Sequence, residues 1–167
     1  MTMAPPKRDR FDEMLANWKT LLPQMRDKWG RSNCPLTAEA VWKYFQTGKI
    51  FPARPFLDGT TKMMECGTVK PLKDPKEVRR YVKQHGEHAI VTVNPGGPKE
   101  HSSVVVNIRG TVYLVDAYNA QPVLTPSVEE SLAYGSRWEI VVNSNLHLVP
   151  VELVETFSCP DPSNRGR

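Results

Sequence analysis

Arg109-Gly110 separates two apolar runs, His101-Ser-Ser-Val-Val-Val-Asn-Ile108 and Thr111-Val-Tyr-Leu-Val-Asp116. No other feature restricts the fold as tightly. A two-residue connection between β-branched runs predicts an antiparallel hairpin. It also sets the register, with Ser103 opposite Asp116 and His101 opposite Tyr118. Strand side chains alternate between faces, so His101, Ser103, Asp116 and Tyr118 share one side, and His101 and Asp116 become diagonal neighbours. A slip of one residue would send the imidazole and the carboxylate to opposite faces.

The rest of the chain supplies helices to cover such a sheet. Phe11, Met14, Leu15, Trp18 and Leu22 follow helical spacing, predicting a helix over 11–22 that Pro23 helps to end. Cys34-Pro35 opens a second helix over 35–47, with Val41, Tyr44 and Phe45 on its apolar side and Gly48 just past its end. Residues 49–73 read as an irregular loop with room for one short strand. Asp74-Pro75 opens a third helix through Val78, Tyr81 and Val82, closed by Gly86, before a strand over 88–93. Asn94-Pro-Gly-Gly-Pro98 is a strong break. After the hairpin, Thr125-Pro126 starts a short helix to Gly135, and 138–142 and 146–154 read as a closing pair of strands. The expected class is α+β, with N-terminal helices packed on an antiparallel sheet. Residues 1–10 read as a disordered basic tail, 11–157 as one catalytic domain, and 158–167 as a flexible tail.

Composition narrows the function. The net charge is +4, but the excess sits mostly in the tails, in Lys7, Arg8 and Arg10 and in Arg165 and Arg167. A nucleic-acid binder carries its basic residues on a folded face, so this distribution argues against one. The exception is Lys70, Lys73, Lys76, Arg79, Arg80 and Lys83, which read as a solvated face or as a surface for an acidic partner. No run approaches the ~18 apolar residues of a membrane span, and the first residues lack the apolar segment of a signal peptide. Cys34, Cys66 and Cys159 contain no Cys-x-x-Cys. Neither a disulfide framework nor a zinc site is indicated, and a reducing compartment suits the pattern. A single Cys66–Cys159 bridge stays open.

The hairpin acquires chemical meaning beside Cys34. A cysteine at a helix start is a poor structural cap, because Ser, Thr, Asp and Asn are the usual choices. It is a good nucleophile, because the unpaired N–H groups and positive end of the helix favour the thiolate, as does a nearby imidazolium. In this reading Cys34 attacks a carbonyl, His101 takes its proton and returns it to the leaving group, and Asp116 holds the imidazole. The Cys34 N–H is one oxyanion donor. Asn33 and Gln24 are alternative second donors, and Trp29 lies close enough in sequence to line a substrate groove. The bland alternatives are a core cysteine, a surface histidine and a turn-forming aspartate. No cofactor or metal enters this scheme.

These segments, Asn33-Cys34-Pro-Leu-Thr-Ala-Glu-Ala-Val with Gly48, His101-Ser-Ser-Val-Val-Val-Asn with Arg-Gly, and Val-Tyr-Leu-Val-Asp116, resemble the papain-fold toxin domains of bacterial polymorphic toxins. The resemblance spans about residues 30–121. It implies a papain-like fold with a Cys–His–Asp site on Cys34, His101 and Asp116. It further implies an effector secreted or delivered into another cell, a protein substrate in that cell's cytoplasm, and a cognate immunity protein. The associated reactions are peptide-bond cleavage, taken first here, and glutamine deamidation. In the family a Gln follows the Asp closely; here Gln121 stands later, after Asp116-Ala-Tyr-Asn-Ala.

Other motifs are weaker. Gly86 breaks the helix between His85 and His88, which argues against a metal pair, and His147 reads as a solvated strand residue. Gly96-Gly97 lacks a phosphate-loop Lys and reads as a mobile rim of the active cleft. Trp18, Trp29, Trp42 and Trp138 read as core or cleft wall. Two further classes remain: acyl transfer on the same triad, and a non-enzymatic module that binds an acidic partner through the Lys70–Lys83 face.

Overall fold

A computed structural model describes residues 7–26, 34–53, 68–85, 88–117 and 121–142. Helix α1 is Lys7–Leu21, kinked at Asn17, and runs into a 3₁₀ turn over Leu22–Met25 that Pro23 helps to start. Helix α2 is Cys34–Thr47, and Gly48 ends it at a φ of +78°, its N–H bonded to Tyr44 O. Strand β1, Thr68–Leu72, leads to helix α3, Pro75–His85. Asp74 and Glu77 open that helix by accepting the Lys76 and Lys73 N–H groups, a reciprocal cap. Strands β2 (His88–Val93), β3 (His101–Ile108), β4 (Thr111–Asp116) and β5 (Val123–Thr125) follow. A short helix α4, Val128–Leu132, precedes β6, Trp138–Val142. No described helix is long and apolar enough to cross a membrane.

The strands form one sheet in the order β1-β6-β2-β3-β4-β5, and every neighbouring pair is antiparallel. The chain is therefore α+β, as its sequence predicts. The hairpin register is also as predicted: Ile108 pairs with Thr111 and Val104 with Val115. Arg109 and Gly110 both have positive φ, +53° and +89°. That is the geometry of a type I′ turn, whose twist matches the strands it joins. Asn107 Oδ1 accepts the Gly110 N–H at 2.8 Å. A Cβ on Gly110 would meet no atom within 4 Å, so only its backbone conformation resists substitution. Gly110→Ala should cost about 1–2 kcal/mol, the usual penalty for a left-handed residue, read as a lower midpoint in urea unfolding.

Two cores sandwich the sheet. On one face, Leu36, Ala40, Val41 and Phe45 of α2 bury against Ile90, Val104, Val106 and Val115, with Met14 of α1 completing the layer. On the other, Val78 and Val82 of α3 and Val128 and Leu132 of α4 cover Val91, Val105, Leu114 and Ile140. Burying a side chain of this kind fully is worth about 1.5–3 kcal/mol.

Two expectations need correction, and one strand goes unforeseen. Residues 1–10 were expected as a disordered tail, but Lys7–Arg10 form the first turn of α1. The sequence also hides β5, whose three residues between prolines are too few to alternate. Cys34 is the first residue of α2 rather than the cap before it. The expected strand over 146–154 and the tail over 158–167 lie outside the described residues, as do Cys66, Cys159 and His147.

Candidate active site

Cys34 opens α2 because Pro35, at the second position, has its φ preset for a helix and lacks an N–H that would go unpaired there. The thiol is free and partly exposed. The first N–H groups of α2 have no acceptor within the helix, so this end is electropositive.

His101 is the first residue of β3 and Asp116 the last of β4, so the antiparallel register brings both to one end of the sheet. His101 Nε2 lies 2.5 Å from Asp116 Oδ2, with 21% and 10% of the two side chains exposed. Cys34 lies close enough to the same imidazole to raise its pKa. Thiol, imidazole and carboxylate thus gather at one end of the sheet.

The His101 pKa follows from these contacts. Burial acts to lower it, but hydrogen bonds to Asp116 and Cys34, together with their charges, raise it from 6.5 to about 9. The imidazole is therefore cationic at neutral pH. Because the folded pKa is raised, its stabilising contribution is complete below pH 6.5 and is lost as pH rises through about 9. Asp116→Asn removes both of the raising influences of Asp116. The His101 titration midpoint, followed by ring-proton NMR, should move down from about 9, and no movement would count against the pairing.

Beside the pair opens a cleft of about 570 Å³, lined by His101, Asp116, Ser103, Leu114, Leu132 and Tyr134 among others. Tyr134 has a raised pKa, first from burial and then from the negative charges of Asp116 and Cys34. Sequence reasoning passed over it. It lies just after α4 in Ala133-Tyr134-Gly135, where no periodic pattern marks it. Arg26 also belongs to the local architecture, its Nε donating to Ala117 O at 2.5 Å. That bond ties the end of the 3₁₀ turn to the residue after Asp116.

The other predicted residues separate. Gln24 is exposed and donates its side-chain amide to Thr20 O on the preceding turn, so this donor is turned to its own helix. Gln121 is exposed at the bend before β5. Asn33 and Trp29 lie outside the described residues. Trp42 and Trp138 are core residues. His88 is buried with its ring against those of Trp42 and Phe45, and no group of three or more His, Cys, Asp or Glu among the described residues is arranged to hold a metal. Lys70, Lys73, Lys76, Arg80 and Lys83 are exposed, while Arg79 pairs with Glu129. Gly97 lies in a separate depression with Asn94 and Arg137, displaced from the cleft rim formed by Lys99 and Glu100. No family model matches the sequence, and no curated protein or solved structure matches it either.

Proposed function

We propose that this chain is a papain-like cysteine hydrolase, the catalytic domain of a bacterial effector toxin that cleaves a protein in the cytoplasm of the cell it enters. The observation that carries the hydrolase reading is the His101–Asp116 pair at the end of the sheet, with Cys34, at the start of α2, close enough to raise the pKa of the imidazole. The toxin reading, with its cognate immunity protein, rests on the resemblance of the Asn-Cys, His-strand and Val-Asp segments.

The proposed steps use only these groups. Cys34 Sγ attacks the substrate carbonyl carbon while His101 holds the proton that the thiol has given up. The developing oxyanion meets the Cys34 N–H, and each such donor is worth about 2.7–4 kcal/mol of barrier. As the C–N bond breaks, His101 passes its proton to the departing nitrogen, leaving a thioester and a free amine. Water then attacks the thioester, His101 takes a proton from it, and sulfur leaves as the carboxylic acid forms. Asp116 keeps the imidazole oriented and stabilises its cation throughout. The net change is amide plus water to acid plus amine, and no cofactor is called on.

Intact-mass profiling of a bacterial proteome, before and after expression of the chain, tests the reading. New fragments support peptide-bond cleavage. A gain of about 1 Da at glutamine without fragments identifies deamidation through the same thioester. Unchanged masses and unimpaired growth overturn the proposal.

A further inference from the structure

The two reactions differ in what leaves the thioester. Deamidation releases ammonia. Peptide cleavage releases an amine that continues as polypeptide, and that chain needs somewhere to lie. His101 must protonate the departing nitrogen, so whatever is attached to it passes beside the imidazole.

We infer that the cleft beside His101 and Asp116 binds the amine-side portion of a polypeptide substrate, seats an apolar side chain there, and has Tyr134 as its specificity-determining residue. This inference rests on the hydrolase reading above and selects the peptide bond over the glutamine carboxamide.

Position carries the first part of the argument. The cleft opens at the imidazole, and its volume, about 570 Å³, lies inside the range of about 300–1,000 Å³ typical of ligand pockets. Ammonia has no use for such a space. The lining carries the second part. Leu114 and Leu132 are almost fully buried and form an apolar base, with Val123 beside them. Lys99 and Glu100 at the mouth are exposed and opposite in sign, so together they favour neither an acidic nor a basic side chain.

Tyr134 carries the third part. It is 53% exposed, unusual for so large an aromatic side chain. Its loop is nevertheless firmly held. Gly135 N bonds Leu132 O, Ser136 N bonds Asn94 Oδ1, Asn94 N bonds Arg137 O, and Trp138 Nε1 bonds Leu132 O. Gly135 approaches β2 so closely that a Cβ there would lie 2.1 Å from Val93 Cγ1. A tyrosine on an anchored loop offers a large contact area with little conformational entropy to lose on binding. Burial, and then the charges of Asp116 and Cys34, favour its protonated phenol, which can donate to a substrate carbonyl.

The test is cleavage-site profiling of a proteome-derived peptide library by the full chain. Wild type is expected to enrich apolar residues immediately on the amine side of the cleaved bond. Tyr134→Ala should reduce that enrichment about tenfold, within the range that apolar pocket contacts supply, and leave acyl-side preferences unchanged. Tyr134→Phe should retain the apolar preference. Thermal unfolding of each variant checks that it is folded. Cleavage with no amine-side preference, or with equal effects of Tyr134→Ala on both sides, overturns the inference alone. Deamidation without cleavage also overturns it while leaving the hydrolase reading intact. Neither reaction by a folded wild-type chain overturns the hydrolase reading itself.

Discussion

Cys34→Ala is expected to reduce amide hydrolysis by about six orders of magnitude, the scale seen when a covalent nucleophile is deleted from a hydrolase. No other described cysteine stands beside His101 to substitute for it. The fold should tolerate the change. Cys34 is partly exposed at the first turn of α2, and alanine is the best helix former, so stability should shift by no more than about 0.5 kcal/mol. Purified variant and wild type should therefore share an unfolding midpoint, while only wild type turns over substrate or slows growth when expressed. Equal activity in the two proteins would remove Cys34 from the chemistry.

His101→Ala should fall to a similar floor, for a different reason. The thiol loses the partner that takes its proton, and the departing amine loses its proton donor, so both halves of the reaction stall. Groups that act as a unit are strongly non-additive, and the double variant Cys34→Ala/His101→Ala should be no slower than either single variant. The measurement is single-turnover hydrolysis by all four proteins of the cycle. Two independent losses that multiply would mean that His101 works apart from Cys34, contrary to the influence of the thiol on its pKa.

Much of this site can be read from the chain because its spacing depends on backbone rules. Arg109-Gly110 sets the hairpin register through two positive φ angles, and the register alone puts His101 and Asp116 on one face. Pro35 and Gly48 bracket α2 for equally local reasons, and Asp74-Pro75 does the same for α3. Features set by tertiary contact are harder to see. Lys7–Arg10 continue α1 without adding to its apolar stripe. Gln24 was a candidate oxyanion donor by proximity in sequence, yet its amide found an acceptor one helical turn away. Tyr134 joins the site only because Gly135 lets its loop press against Val93. That is a steric fit between distant segments, with no signature at either of them.

The two halves of the site belong to different layers. Cys34 opens a helix packed on one face of the sheet, whereas His101 and Asp116 lie on the strand face of Val105 and Leu114, which belong to the opposite core. They meet around the sheet's end, where Arg26 Nε also donates to Ala117 O. Reactivity is thus a readout of layer docking. In an unfolded chain the thiol lies far along the backbone from the imidazole and carboxylate. They come together only when the helical layers dock on the sheet.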